Sequence, residues 1–500
     1  DGSLPAEDIG GGLLEGGGLR NCPGFETWLM LARLHCAARG REELRRHALS
    51  LLAAGDFEAA TEVAGRGARL DPLDEDAQEL FLRTLVAAGR GGLASAHLAS
   101  CEVVFAREGL VPSSALRSAI RDPGPPSSRL RARVVANSLL RAGTAALDAG
   151  AADAGIETLR RAAKEAERAA DPAAQADVLR ALGSALVHAV RGFDGEGAVV
   201  LHRALLAARA AGRLAVVADV QRELAFVDVQ AGRHASAGRA LREASEAAAG
   251  DPALLAGILA MRGMNKADRG RHTAAAALLA ESAETARRAG RARQEAWSEG
   301  VLARSLLLAG QVQQARAAAE RSIAVAQRER WNAFLPWPQV LRAQCLAEAG
   351  RRDEAGEEAE HAFALACELG DPCWEGMAGR ALGLLALNAG DPAAAGAWLA
   401  DARHRCDRVP DRYVWVSAYI GLAQLEAAAR EDTGLVAPSA ARLYQDAVRG
   451  DLPEFLAWAL VYQAEAGDRA KIPLARTAAD GVTNPRLEAR VQALRGDATT

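Results

Sequence analysis

The apolar positions of this chain fall into a frame of small side chains that repeats about every forty residues and is anchored on glycine. Gly150, Gly192, Gly232, Gly270, Gly310, Gly350 and Gly390 mark the successive units. Seven residues before each stands a small residue: Gly143, Ala185, Ala225, Gly263, Ala303, Ala343 and Gly383. Five residues after come Gly155, Gly197, Ala237, Ala275, Ala315, Ala355 and Ala395, and twelve after come Ala162, Ala204, Ala244, Ser282, Ser322, Ala362 and Ala402. Small residues at such fixed offsets predict two antiparallel helices whose backbones approach closely around a turn that ends in glycine. A single helical hairpin cannot bury its own apolar face, so the units are expected to stack into a solenoid. Runs with the period-2 alternation of Val, Ile and Thr are missing, and no strand is predicted.

The same reading divides the chain. Residues 1–18 are rich in glycine and read as a flexible start, or the remnant of an upstream connection. A helical block from about Phe25 to Ile120 fills a domain placed at 19–121. Asp122-Pro123-Gly124-Pro125-Pro126-Ser127-Ser128 cannot continue a helix and reads as a linker, 122–128. The regular array occupies 129–407, with Asp171-Pro172, Asp251-Pro252, Asp371-Pro372 and Asp391-Pro392 expected to start helices, Asp as N-cap and Pro as first residue. From 408 to 500 the frame decays into degenerate repeats and a C-terminal cap, with helices near Tyr413–Arg430, Ala440–Val448 and Glu454–Ala466 and with Pro453, Pro473 and Pro485 expected to interrupt them.

Composition narrows the function. Half of the 500 residues are hydrophobic but only 4% are aromatic, and the formal net charge is −4, which offers no electrostatic footprint for nucleic acid. The seven cysteines are scattered without a C-x-x-C pair and read as reduced thiols of a cytoplasmic protein. No apolar run reaches the ~20 residues that span a bilayer, so no membrane partner is expected. Phosphate-loop, zincin, nucleophile-elbow and paired Cys/His patterns are absent, so the chain reads as a non-enzyme without cofactor or metal. Gly10-Gly11-Gly12 and Gly16-Gly17-Gly18 lack the flanking residues of a phosphate loop. His234 and His272, each two residues after a turn glycine, read as packing at a repeat position. Arg287, Arg288, Arg291 and Arg293 read as a solvated face. The chain starts at Asp1 without a methionine, which leaves room for an upstream segment.

The glycine-anchored frame resembles the tetratricopeptide repeat (TPR), whose usual period of ~34 residues is here lengthened by less than two helical turns. The longer variety is similar to the superhelical sensor arrays of large bacterial transcription regulators. The fold class this implies is all-α: a TPR-like helical-hairpin solenoid, a right-handed superhelix, with an N-terminal TPR-like helical activator block.

That first block carries a second resemblance. Phe25-x-x-Trp28-Leu29 is followed by Ala54-Gly55-Asp56-Phe57-Glu58-Ala59-Ala60, then Leu70-Asp71-Pro72-Leu73-Asp74-Glu75-Asp76-Ala77, then Leu82, Ala88-Gly89-Arg90, Ala94 and Cys101, and finally Glu108-Gly109-Leu110-Val111-Pro112-Ser113. The succession, over residues 13–121, resembles the bacterial transcriptional activator domain of SARP-type antibiotic regulatory proteins and their larger relatives. It departs from that pattern in a close one residue shorter and in Leu98, where an aromatic residue is common. The resemblance implies the effector and sensor region of a bacterial transcriptional regulator, with DNA bound only through a winged-helix domain upstream. The activator block would support homodimerisation or RNA polymerase contact, and the array would receive a protein, peptide or small-molecule effector. A TPR scaffold or co-chaperone unrelated to transcription predicts the same fold, as does the sensor arm of a signal-transduction ATPase.

The candidate site comes from the aromatic residues. Of eight tryptophans only Trp28 precedes Trp297. Trp297 and Trp337 lie thirteen residues before their turn glycines, and Met377 holds the matching place in the next unit, beside Trp374. Equal positions in a solenoid form a stripe, which either lines a partner or ligand groove or fills the gaps between alanine-rich repeats.

Overall fold

The computed structural model describes residues 23–120, 126–189, 194–409, 411–431 and 434–496. The glycine-rich start, Cys22, the turn glycine Gly192 and residues 122–125 of the expected linker lie outside them. Among the described residues all regular structure is helical: twenty-four α-helices and a single 3-10 turn at Asn332–Phe334. The all-α, TPR-like hairpin solenoid is therefore the fold of this chain. It divides into two compact units, residues 1–220 and 221–500.

The first unit opens with α1 (Pro23–Ala54), α2 (Phe57–Leu70), α3 (Glu75–Ala87), α4 (Gly91–Arg107) and the short α5 (Ser114–Ser118). Three of its motifs hold helix starts. The Asp56 carboxylate accepts a hydrogen bond from the Ala59 N–H, Asp74 from Ala77 and the Ser113 hydroxyl from Ala115, each satisfying an otherwise orphaned first-turn donor. α6 (Pro126–Asp148), α7 (Ala152–Ala169), α8 (Pro172–His188) and α9 (Asp194–Ala210) begin the array. Residues 126–128, expected in the linker, are instead the first turn of α6, because a proline is well placed as the first residue of a helix. The block and these repeats share a core: Val199 of α9 packs with Leu44, Ala48 and Leu52 of α1, Ala60, Val63 and Ala64 of α2 and Leu80 of α3. The division of the chain thus falls within α10 (Leu214–Gln230), beyond the proline-rich segment where composition alone placed a boundary.

The second unit continues with α11 (His234–Ala247), α12 (Pro252–Asp268), α13 (His272–Arg288), α14 (Ala292–Leu308), α15 (Val312–Arg328), α16 (Pro336–Glu348), α17 (Arg352–Leu369), α18 (Pro372–Ala389) and α19 (Pro392–Cys406). It closes with α20 (Val414–Arg430), α21 (Val436–Arg449), α22 (Pro453–Glu465), α23 (Lys471–Ala478) and α24 (Pro485–Gly496). The hairpin turns at Gly232, Gly270, Gly310, Gly350 and Gly390 reverse at glycine. Gly270 and Gly310 adopt φ of +74° and +77°, a left-handed conformation that costs a side-chain-bearing residue energy, and the residue after each donates back to a carbonyl of the last helical turn. The Asp-Pro steps cap as expected: Asp251 accepts from the Ala253 and Leu254 N–H groups, and Asp371 from those of Cys373 and Trp374. Pro453 and Pro485 were expected to interrupt helices and instead begin them, while Pro473 lies in the first turn of α23.

The small-residue frame is the closest approach within each hairpin. A Cβ added at Gly143, Gly263 or Gly383 would stand 2.8, 2.6 and 2.8 Å from the Cγ of Leu159, Leu279 and Leu399. Where the frame has Ala303 and Ala343, the residues in the place of those leucines are Ala319 and Ala359, whereas Ala185 and Ala225 keep Leu201 and Leu241. At the twelfth position Ser282 and Ser322 are buried, and their hydroxyls donate to the Ala256 and Ala296 carbonyls, both at 2.7 Å, which ties each second helix to the first of its own hairpin.

Candidate interaction surface of the second unit

The expected aromatic stripe is only partly brought together. Trp337, in the first turn of α16, lies 5.2 Å between ring centroids from Trp374 in α18. It fits there because α14 has Gly300 opposite, where a Cβ would stand 3.0 Å from the indole Cδ1. Trp337 is 3% exposed and Met377 0%, so neither lines an open groove. Burial on this scale is what aromatic and thioether side chains provide among small neighbours, and of the two alternatives it matches gap filling for these two. Trp297 and Trp374 remain half-buried and within a partner's reach.

Next to Trp337 lies a buried polar cluster that composition did not announce. Arg304 of α14 donates from Nη2 to Asp268 Oδ1 at 2.6 Å and from Nη1 to the Tyr413 hydroxyl at 2.9 Å. The Tyr413 hydroxyl in turn donates to the Asp268 carboxylate at 2.8 Å. The guanidinium also lies over Trp415, 4.3 Å from its ring centroid, and 5.8 Å from that of Trp337. Burial alone would lower the pKa of Arg304, but Tyr413 and Asp268 more than reverse this and raise it. The same burial pushes the Tyr413 hydroxyl well above its usual range, so it stays a neutral donor. A partial signal was in the sequence: Arg304 interrupts the apolar run Val301-Leu302-Ala303 and Leu306-Leu307-Leu308.

A second buried cluster joins distant segments. His272, at the start of α13, meets Glu454 of α22 at 2.7 Å through Nε2, and Asn484 donates to the other carboxylate oxygen at 2.6 Å. Burial would raise the Glu454 pKa, yet His272 and Asn484 outweigh it and hold the carboxyl below its ordinary value. His234 makes the matching contact one repeat earlier, Nε2 to the Gly450 carbonyl at 3.1 Å and Nδ1 to Asn265 Oδ1 at 2.7 Å. The two histidines do occupy equivalent repeat positions, but each also hydrogen-bonds to the far end of the chain.

Two further groups of charged side chains pair with one another. Arg287 pairs with Glu284, Glu295 and Glu299, and Glu375 with Arg405 and Arg408. Among the described residues no group of His, Cys, Asp and Glu is arranged to hold a metal ion, and no helix is long and apolar enough to cross a membrane. In the first unit a cleft of about 220 Å³ is lined by Arg41, Glu42, Arg45, Val63, Asp74 and Leu80, and burial raises the Glu42 pKa.

No protein-family profile and no curated protein matches the chain. Solved structures that align with it include aspartyl phosphate phosphatase F from Bacillus subtilis, at 14% identity over 82% of this chain and 95% of that one, with a TM-score of 0.39. A Rap protein complexed with competence and sporulation factor aligns at 12% identity over 83% and 99%, TM-score 0.41. The human IFIT1 dimer with m7Gppp-AAAA aligns at 12% identity over 86% and 95%, TM-score 0.42. With TM-scores below 0.5, these alignments carry no inference about what this chain binds or does.

Proposed function

We propose that this chain is the effector and sensor region of a transcriptional regulator, and that it acts by binding a protein or peptide partner. The observation that supports binding over catalysis is the architecture itself: stacked hairpins with buried, hydrogen-bonded polar clusters and a half-buried Trp297 and Trp374. The transcriptional part rests on the ordered motifs of residues 25–113, three of which supply the caps of α2, α3 and α5. In this reading the partner shifts the balance between two states of the array by binding one of them more tightly. DNA contact belongs to a separate domain, since the chain carries a formal net charge of −4.

Fusing the chain to a heterologous DNA-binding domain upstream of a bacterial reporter tests this. Activation that depends on residues 23–120 is the expected result. A folded fusion that captures partners in a cross-linking experiment and leaves the reporter silent is a scaffold, and the transcriptional reading fails.

A further inference from the structure

Three successive hairpin turns of the second unit are covered by the far end of the chain, and the next two are open. A Cβ at Gly232 would stand 2.6 Å from Gly450 Cα, one at Gly270 would stand 2.9 Å from Glu454 Cβ, and one at Gly310 would stand 3.0 Å from Pro485 Cγ. At Gly350 and Gly390 the same Cβ meets nothing within 4 Å. The covering is therefore a property of these three turns and not of the repeat.

The contacts follow the repeat register. His234 and His272 stand at the same place in consecutive repeats, and they bind Gly450 and Glu454, four residues apart on the covering segment. The backbone takes part as well: the Thr483 N–H donates to the Gly270 carbonyl at 2.9 Å, and the Thr273 N–H donates to the Thr483 hydroxyl at 3.1 Å. Arg269 adds an ion pair with Asp451 at 3.6 Å. The Gly232 and Gly270 turns meet one segment, 450–454, and the Gly270 and Gly310 turns meet a second, 482–485, by side chain and by main chain; contacts in register with successive repeats are how a solenoid recognises a peptide. Burying the Glu454 carboxylate is unfavourable unless it is paired; on the repeat side His272 supplies that pairing and makes the position selective for an acidic side chain, while Asn484 of the covering segment holds the other carboxylate oxygen.

We propose that the edge formed by the Gly232, Gly270 and Gly310 turns is a peptide-recognition site. The chain's own residues 450–454 and 482–485 fill it, and its partner in trans is an acidic peptide that presents a carboxylate to His272 and a main-chain carbonyl to His234. The helices α22–α24 then act as an internal competitor, and the site opens when they are displaced. The partner in trans rests on the binding function proposed above; the internal contact does not.

The test uses the full chain and a synthetic peptide of residues 446–458. Glu454→Gln removes the charge at constant shape. In this variant, amide hydrogen exchange of α22–α24 is expected to rise at least tenfold while α14–α18 stay protected. The labelled peptide is then expected to bind the variant at least tenfold more tightly than it binds the unaltered chain. A peptide with glutamine at the position of Glu454, or a further His272→Ala change in the protein, should abolish that binding. A released variant that does not bind the peptide overturns the proposal. Exchange that rises evenly through the whole unit also overturns it, because the contact is then ordinary core. Should α22–α24 stay protected, Asn484→Ala, which removes a second partner of Glu454, is the next variant; protection in both overturns the proposal, since a segment that does not open cannot be displaced. Failure of the peptide leaves the reporter and cross-linking results untouched, so the two readings fail separately.

Discussion

Gly263→Ala is the sharpest perturbation of the repeat frame, because one added methyl group tests whether small residues set the helix approach. In the structure a Cβ at this position lies 2.6 Å from Leu279 Cγ and 2.9 Å from its Cδ2, and Leu279 is fully buried. Unstrained carbon contacts sit at ~3.5–4.0 Å, so α12 and α13 must separate by about 1 Å or Leu279 must leave its rotamer. Overpacking of this kind costs about 1–3 kcal/mol, while replacing a helical glycine with alanine contributes about 1 kcal/mol in the other direction. The net expectation is a loss of about 1 kcal/mol. Leu279→Ala alone removes the obstacle and leaves a cavity, at about 2–5 kcal/mol. In that background Gly263→Ala meets no clash and should stabilise by about 1 kcal/mol, so the double-mutant cycle yields a coupling of about 1–3 kcal/mol. The frame already contains Ala303 with Ala319 and Ala343 with Ala359, a combination the fold tolerates, and Ala225 with Leu241, the pairing that Gly263→Ala would create. Urea unfolding followed by circular dichroism gives the four stabilities. Hydrogen exchange within α12 and α13 separates local loosening from global change, because stacked repeats unfold in partly independent steps. If Gly263→Ala stabilises the protein equally in the presence of Leu279 and in the Leu279→Ala background, the contact does not limit the approach and this account of the frame is wrong.

Three further outcomes follow from buried groups. Trp337→Ala should lower stability by about 3–5 kcal/mol, read as a fall in melting temperature, and an unchanged melting temperature would return the indole to a groove role. Asp268→Asn leaves the Arg304 guanidinium buried without its carboxylate and should cost about 3–5 kcal/mol; the pair Asp268→Asn, Arg304→Met should recover much of it, and no recovery would mean that the charge is not what is being compensated. Glu454 has a folded-state pKa below its ordinary 4.5, so its contribution is fully present above that value and is lost as pH falls through the folded-state pKa. Chemical unfolding between about pH 6 and pH 3 should show a steeper acid loss for the unaltered chain than for Glu454→Gln, and parallel curves would refute the pairing.

What the sequence determined by itself acts within one hairpin. The glycine turns, the Asp-Pro starts and the small positions at Gly263, Ala275 and Ser282 act over one or two helices, and each has a chemical signature independent of the rest of the chain: a left-handed turn, a capped N–H, a close backbone approach. The same locality misled where a residue has two local meanings. Pro453 and Pro485 read as breaks and are helix starts, and the proline-rich segment near Pro126 reads as a boundary although α6 begins there. What only the tertiary structure decided were the meetings of residues far apart in the chain. Trp337 is sealed by Gly300 on the preceding hairpin, Arg304 finds Asp268 and Tyr413, and His272 finds Glu454 after an interval of 182 residues. No periodicity records such meetings, because they depend on how far each stacked hairpin rotates from the last, and that small rotation accumulates over several repeats before one turn meets another.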